Sequence, residues 1–294
     1  MADRGPVKIR TGNVDDLINI YKKSYENVSK EIINATTAGK IQRARVMVRI
    51  NAELTALGVN VEEWVNKEIP KYYLDGANQA IQDLKSLGVD VTKDGTIVAI
   101  NREAINALVY EVNAAFGDSI KTMSRSARKL LVDAQKQQIN AILAMGKIEG
   151  KTAKAIAASI KEAIQDNGLG VLIDKSGRRW SFDAYSEMLV RTKVVESRNQ
   201  GLANRMLQNG YDLVQVSNHR SDHPECAQWE GKILSLTGET PKGTKLPGGY
   251  TVAGTVQEAT DSGLFHPNCK HAINVINPSL AAKTKAYDNP YNFR

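Results

Sequence analysis

The residues with the clearest potential for chemistry are gathered in one short stretch of the chain. All four histidines and both cysteines of the 294 residues lie between His219 and His271. Thiolate and imidazole groups are the side chains that bind zinc and related metals in proteins. Because random scatter rarely gathers every such residue in one place, this stretch is the first candidate for a functional site. Its members are His219, His223, Cys226, His266, Cys269 and His271.

Within that stretch the residues form two knuckles, short segments that each present cysteine and histidine. The first knuckle is 223–226 (HPEC), and the second, about 40 residues later, is 266–271 (HPNCKH). Zinc takes four nitrogen or sulfur ligands in a tetrahedron, and closely spaced pairs are the usual way a chain supplies them. The pattern predicts a structural zinc site with His266 as a competitor for the fourth position. The predicted ligands are His223, Cys226, Cys269 and His271.

Two other interpretations of these residues stay open. The histidines and thiols could be unrelated surface or half-buried side chains, or Cys226 could form a disulfide with Cys269. The first six residues, MADRGP, are polar with no apolar core behind them, so no secretory signal is indicated. We therefore expect synthesis in a reducing cytoplasm, which favours a metal over a disulfide.

Composition and charge bound the class of protein. Hydrophobic residues make up 42% of the chain and charged residues 24%, as in ordinary globular proteins, and the length suffices for two domains. No apolar run approaches the roughly 20 residues that span a bilayer, so we expect no membrane partner. The net charge of +7 is spread thinly and marks no basic groove. It is compatible with non-specific contact with DNA or another polyanion.

Hydrophobic periodicity predicts a helical first half. An apolar stripe runs from Leu17 to Ile32 after a predicted helix cap at Asn13, and capping residues and glycines indicate where later helices begin and end. A stripe beginning at Ile105 is interrupted at Gly117. The other predicted elements are helices over 39–57 and 60–88, and a small hairpin over 91–100.

The second half changes to mixed structure near residue 168. It predicts a hairpin of 171–173 with 180–182, a helix over 185–210, and short strands that would carry the knuckles at the ends of a small sheet. The fold class is therefore α+β. Its predicted parts are a mostly helical region 1–167, an α+β domain 168–278 and an extended tail 279–294. The predicted strands are 213–217, 233–236, 250–252 and 272–276.

Four motifs in the second half follow one another in a fixed order. They are 176–180 (SGRRW), 185–192 (YSEMLVRT), 223–232 (HPECAQWEGK) and 263–271 (GLFHPNCKH). Together they resemble the phage minor capsid protein 2 family over residues 168–278. They are also similar to the head-morphogenesis proteins of the Mu F type, which end in comparable knuckles.

The resemblance implies a low-copy structural protein of a tailed bacteriophage, made in the host cytoplasm. It would be bound in the virion near the portal or on the inner capsid surface, and would assist head assembly, DNA packaging or DNA delivery. The implied partners are the portal protein, the major capsid protein, packaged double-stranded DNA and further copies of the chain. In this comparison His223 and Cys226 take the places of an earlier cysteine pair, and Cys269 and His271 those of a later one. No catalytic turnover is implied.

Two enzymatic functions compete with the structural one. The residues His266, Asn268 and His271 suggest a metal-dependent His-Asn-His nuclease. Such a site needs a general-base histidine on a strand and a later helix that carries the metal-binding histidine. The segment after His271, 272–276, is instead a β-type run. The segment 228–230 (QWE) suggests an ADP-ribosyltransferase, although no matching Ser-Thr-Ser strand precedes it. A non-enzymatic function is therefore favoured.

Overall fold

The structure is a computed structural model that describes most of the chain. The predicted tail, 279–294, and the predicted domain boundary at 167/168 lie outside the described residues, so both stay predictions. The described residues are 11–35, 40–91, 96–132, 141–142, 144–145, 149–152, 154–155, 158–159, 162, 172–173, 179–180, 182–266 and 269–276.

Three long helices form the first half. They are α1 (Thr11–Ala35), α2 (Lys40–Ser86) and α3 (Thr96–Val132). The predicted stripe of α1 is confirmed, because its apolar residues recur every three or four positions and are buried. Among the described residues, no helix is both long and apolar enough to cross a membrane. The buried stripe of α1 consists of Leu17, Ile18, Tyr21, Tyr25, Val28 and Ile32.

Helices α2 and α3 are less interrupted than the glycines predict. The predicted helix end at Gly58 and the separate start at Asn60 are wrong, since α2 continues through both and also contains Pro70. The predicted interruption at Gly117 is wrong as well, because α3 runs through it. A helical glycine costs only about 1 kcal/mol relative to alanine. Burying one large apolar side chain contributes about 1.5–3 kcal/mol, so the buried stripes override the local preference.

The predicted hairpin over 91–100 is also wrong. Helix α3 begins at Thr96, so the second predicted strand is helical, and Val91 lies outside any strand. The intervening 92–95 lie outside the described residues. Aspartate and glycine are common both in hairpin turns and near helix ends, so the sequence pattern alone could not distinguish the two.

The second half contains the predicted hairpin and long helix. Strand β1 (Leu172–Ile173) pairs antiparallel with β2 (Arg179–Trp180). Helix α4 follows as Phe182–Gln208. These elements confirm the predicted change to mixed structure, and with the long helices they make the fold class α+β.

A four-stranded mixed sheet follows α4, in the order β5-β4-β3-β6. Strand β3 pairs antiparallel with both β4 and β6, whereas β4 and β5 are parallel. Each predicted strand overlaps an observed one. The strands are β3 (Leu213–Val216), β4 (Ile233–Ser235), β5 (Val252–Thr255) and β6 (Ile273–Val275), and the short helices between them are α5 (Pro224–Ala227), a 3-10 turn (Pro247–Gly249) and α6 (Val256–Asp261).

The chain divides into two compact units, each built from separate segments. The sheet unit includes Val65–Glu111 and the chain from Arg191 onward, and the helical unit includes Gly12–Trp64 and Val112–Val190. Helices α2, α3 and α4 therefore each contribute a portion to both units. All of the histidines and cysteines belong to the sheet unit.

The core of the sheet unit lies on one face of the sheet. Side chains from α2 and α4 pack there with residues of β3, β4 and β6, and Cys226 of the first knuckle joins the same cluster. The opposite face buries a smaller cluster that includes Leu213 and Ile233. Members of the larger cluster include Ala80, Leu84, Leu202, Met206, Val214, Val216, Leu234 and Ile273.

Helices α2 and α4 approach each other at two glycines within the sheet unit. A Cβ atom on Gly76 would lie 1.9 Å from the carbonyl oxygen of Arg198, and one on Gly201 would lie 1.9 Å from that of Tyr73. Asn204 Nδ2 beside them donates a hydrogen bond of 2.7 Å to the Tyr73 hydroxyl. Only glycine permits this backbone contact, so the two positions set the separation of the helices on which the sheet packs.

We expect Gly76→Ala and Gly201→Ala each to destabilise the protein by about 3 kcal/mol or more, because a methyl group would collide with backbone that cannot rotate away. Gly58→Ala in α2 is the control, since its Cβ would lie 4.0 Å from Ile120 Cδ1, an ordinary contact. Alanine there should be neutral or stabilising by up to about 1 kcal/mol. Urea unfolding followed by circular dichroism measures all three, and equal stabilities would contradict the close crossing.

Candidate metal centre

The two knuckles meet at one end of the β3–β6 pair. Strand β3 ends at Val216 and leads to the first knuckle, and the second knuckle leads into β6 at Ile273, the residue that pairs with Val216. The pairing continues beyond the strands, where the Ser217 amide donates to the Ala272 carbonyl at 2.8 Å. Antiparallel pairing therefore brings together segments about 40 residues apart, which confirms the predicted position of the knuckles at the end of the sheet.

The first knuckle is built on a single helical turn. His223 is the N-cap of α5 and Pro224 occupies the first turn, where a missing backbone N–H costs nothing. The Ala227 amide donates to the His223 carbonyl at 2.9 Å. Cys226 is 2% exposed, and its Sγ lies 3.6 Å from the same carbonyl. The short helix thus holds Cys226 inward at the edge of the core.

The second knuckle is closed by a hydrogen bond of 2.8 Å from the Cys269 amide to the His266 carbonyl. Its histidine at the far end, His271, is 2% exposed. The Nδ1 atom of that ring lies 3.1 Å from Cys269 Sγ. Cysteine and histidine of this knuckle are therefore already in contact with each other.

Strained backbone precedes each knuckle. Among the described residues, the non-glycine positions with left-handed φ are Arg220, at 55°, and Phe265, at 60°. Arg220 lies shortly before His223, and Phe265 immediately precedes His266. Such conformations cost free energy and tend to occur where the surroundings require a side chain to be aimed. Both strained positions are therefore consistent with a site that orients the knuckles.

The ligating atoms of both knuckles converge on Cys226. The atoms of His223, Cys226 and His266 lie within 4.8 Å of one another, and so do those of Cys226, Cys269 and His271. His266 Nε2 is 3.4 Å from Cys226 Sγ. In a tetrahedral zinc site the sulfur and nitrogen ligands are about 3.5 Å apart, so the contact between His266 and Cys226 already has about that length.

The fourth position of such a site has two competitors. The rings of His223 and His266 are stacked, with centroids 4.2 Å apart, on the Cys226 side of the cluster. Neither lies in the group that contains Cys269 and His271. A tetrahedron that includes both knuckles therefore requires one of the stacked rings to move toward the second knuckle.

The thiols and one histidine nitrogen of the ligand groups are available for a metal. Both cysteines are free in the structure. Within the described part of the chain, the buried Nδ1 atoms of His219 and His223 have no hydrogen-bond partner, and of these two residues His223 belongs to a ligand group. A buried ring nitrogen without a partner is costly, and a metal ion would satisfy it. The residues present therefore fit a soft divalent ion such as zinc.

The remaining histidine of the stretch, His219, lies beside the cluster. Its ring is 4.9 Å from that of His271, measured between centroids. Its Nε2 atom lies 2.8 Å from Ser217 Oγ and 2.9 Å from the Lys270 carbonyl oxygen. His219 belongs to neither ligand group, so it packs against the candidate ligands rather than among them.

The sequence did not identify Glu230 as part of this site. Its Oε1 atom accepts hydrogen bonds of 2.9 Å from the His219 amide, the Ser221 amide and His271 Nε2. Burial acts to raise the pKa of this carboxyl, but the hydrogen bonds from the two amides and from His271 outweigh it and lower the pKa to about 2. No spacing rule signals this role, because the contact with His271 depends on how β3 pairs with β6.

Burial is the main influence on the pKa values of the ionisable groups in the second knuckle. Burial lowers the pKa of His271, although the hydrogen bond to Glu230 opposes that effect. Burial also raises the pKa of Cys269, and the neighbouring Cys226 thiol adds to the increase. Without a metal the thiol proton of Cys269 can be shared with His271 Nδ1. A bound cation would replace that proton and favour the thiolate.

Comparison with known proteins agrees with the motifs. Residues 42–289 match the family described as "Phage minor capsid protein 2". The chain belongs to the phage minor capsid protein 2 family. The match begins within α2, so this minor capsid protein shares more with its family than the 168–278 stretch that carries the sequence motifs.

A curated relative supports a structural role in a phage. Over 166 residues the minor capsid protein is 24% identical to a protein named "Structural protein" from Lactococcus phage LL-H. The alignment covers 52% of this chain and 44% of the relative, so the chain spans less than half the length of that protein. No solved structure matches the chain. The family description and the name of this relative agree on a structural phage protein.

Proposed function

We propose that the protein is a non-enzymatic component of the phage head, held near the portal or on the inner capsid surface, where it assists head assembly, DNA packaging or DNA delivery. In this proposal a structural zinc ion joins its two knuckles. The observation that carries the zinc proposal is the convergence of both knuckles on the buried Cys226. Family membership supports the virion location.

The ligand chemistry favours zinc among common metals. Thiolates exclude the hard cations magnesium and calcium, and mixed cysteine and histidine sets are typical of structural zinc. Three ligands are Cys226, Cys269 and His271, and the fourth comes from His223 or His266. When bound, zinc would link the loop after β3 to the segment before β6 and contribute folding free energy.

The same geometry favours a structural over a catalytic role. Four protein ligands fill the coordination sphere, so no position is left for an activated water. The nuclease alternative needs a helix after the second knuckle, whereas the chain forms strand β6 there. For the ADP-ribosyltransferase alternative, Glu230 would have to face a substrate, whereas its Oε1 is engaged by His219, Ser221 and His271.

The proposed partners follow from the location. The portal protein and the major capsid protein would be contacted directly, and the chain could associate with further copies of itself on the virion. The net charge of +7 is compatible with non-specific contact with packaged double-stranded DNA. The thin spread of that charge argues against a sequence-specific DNA site.

Cross-linking of purified particles tests the virion proposal. With an amine-reactive cross-linker and mass spectrometry, we expect linked peptides between this chain and the portal or major capsid protein, because it would lie against them. Empty heads and DNA-filled heads should be compared, to separate protein contacts from DNA contacts. Links to tail proteins alone, or absence from the particles, would contradict the proposal.

Metal analysis tests the zinc proposal. For protein purified without a histidine tag, we expect about one zinc per chain, and none in the double variant Cys226→Ser, Cys269→Ser. Loss of the ion should lower the melting temperature by about 5–10 °C, because a ligand that binds only the folded state stabilises it. The control is Ser262→Ala, an exposed change outside the site. A wild type that remains free of metal after incubation with zinc would refute the proposal.

The fourth ligand can be identified by substituting each stacked ring in turn. We expect His266→Ala to weaken zinc binding more than His223→Ala, because His266 Nε2 already lies 3.4 Å from Cys226 Sγ. The loss of zinc affinity should be larger than the loss of about 10–100-fold that is typical of residues that only orient a ligand. His219→Ala is the control, since His219 is in neither ligand group. The reverse order would assign His223. Because each single variant keeps the competing ring, full binding by the double variant His223→Ala, His266→Ala is the result that would rule out both rings as ligands.

A further inference from the structure

We infer that Glu230 is a positioning residue that orients His271 toward the metal and thereby sets the metal affinity of the site. This inference rests on the proposed metal centre and goes beyond its ligands. It assigns a function to a carboxylate that lies outside both groups of candidate ligands.

The hydrogen bonds of Glu230 determine which nitrogen of His271 carries a proton. Backbone N–H groups only donate, so Glu230 Oε1 must accept from the amides of His219 and Ser221. The contact of 2.9 Å to His271 Nε2 is then also one in which the carboxylate accepts. A neutral imidazole has a single N–H. The proton on Nε2 therefore leaves a lone pair on Nδ1, the atom that faces Cys269 Sγ at 3.1 Å.

This arrangement is the one that favours metal binding by histidine. A histidine ligand usually donates its second ring N–H to a carboxylate or carbonyl, which fixes the tautomer and makes the ligating nitrogen more basic. Here the donor nitrogen contacts Glu230 and the lone pair points into the cluster of thiols. The carboxylate thus holds His271 ready for a cation at Nδ1.

Glu230 also connects the first knuckle to the second. The Glu230 amide donates to the Ala227 carbonyl, so the side chain starts from the turn that ends α5. Ser221, whose amide donates to Glu230, lies with its hydroxyl 3.4 Å from Cys226 Sγ. One carboxylate oxygen therefore orients His271 directly and, through Ser221, supports the environment of Cys226.

The electrostatic setting agrees with a role toward a cation. The Glu230 side chain is 12% exposed, and its contact with the neutral ring of His271 is a hydrogen bond that brings no positive charge. A buried carboxylate is costly unless charge or hydrogen bonds offset it. A metal on the opposite side of the His271 ring would place positive charge within reach of Glu230 and stabilise both.

The test is the zinc affinity of Glu230→Gln, measured by competition with a chromophoric chelator. Glutamine keeps the size of the side chain and can keep an oxygen at the accepting position, but it removes the negative charge. We expect affinity to fall about 10–100-fold. Glu239→Gln, an exposed carboxylate in the same unit, is the matched control and should bind as the wild type does.

Two further readouts separate positioning from a purely structural role. The metal-free variant should lose some stability, because the charged carboxylate accepts from two backbone amides, and the zinc-loaded variant should lose more relative to the loaded wild type. The absorption spectrum of the cobalt form should change in Glu230→Gln and not in Glu239→Gln. Equal destabilisation with and without metal, at unchanged affinity, would overturn the inference.

A measurement on the wild type covers the case in which the variant fails to fold. Nitrogen-15 NMR of the histidine rings should show His271 protonated at Nε2 and bound to metal through Nδ1, and the opposite assignment would overturn the inference. If the wild type binds no metal, the zinc proposal fails and this inference with it. If the wild type binds zinc and Glu230→Gln binds equally well, only the inference fails.

Discussion

The antiparallel pairing of β3 with β6 is the constraint on which the candidate site depends. It aligns Val216 with Ile273 and continues through Ser217 and Ala272, so the segments leaving β3 and entering β6 run side by side. A shift of one residue would turn every side chain of β6 to the opposite face and move His271 away from Cys226. Ser217 reinforces the alignment, because its hydroxyl accepts a hydrogen bond of 2.9 Å from the Ala272 amide.

The sheet in turn depends on the close contact of two helices. Strands of three or four residues form few hydrogen bonds and are marginal without a packed face. Helix α4 supplies part of that face, and Gly76 and Gly201 allow α2 to approach it until backbone meets backbone. At the far end of the strands Asp212, which is fully buried, accepts hydrogen bonds from Ser235, Thr237 and Thr240. At the end that carries the knuckles, Glu230 accepts a comparable set of hydrogen bonds beside the two free thiols.

The sequence predicted those features that depend on residue types and their spacing along the chain. The concentration of histidine and cysteine predicted that the two knuckles belong together, and short apolar runs located the strands, because both patterns are visible in the sequence itself. The helix breaks at Gly58 and Gly117 were predicted wrongly, since burial of a long apolar stripe is decided by distant partners. The role of Glu230 depends on its contact with His271, which is 41 residues later in the chain. That contact forms because β3 pairs with β6, which no local pattern contains.

The position of the site explains why a structural rather than a catalytic use is favoured. Cys226 belongs to the hydrophobic core of the sheet unit and Cys269 packs against it, so the candidate ligands are an extension of the core. A catalytic metal needs an open coordination position and an approach for substrate. Here the rings of His223 and His266 are stacked over one side of Cys226, while His271 is buried on the other. An ion held among these residues would act as a cross-link between the segment that leaves β3 and the segment that enters β6.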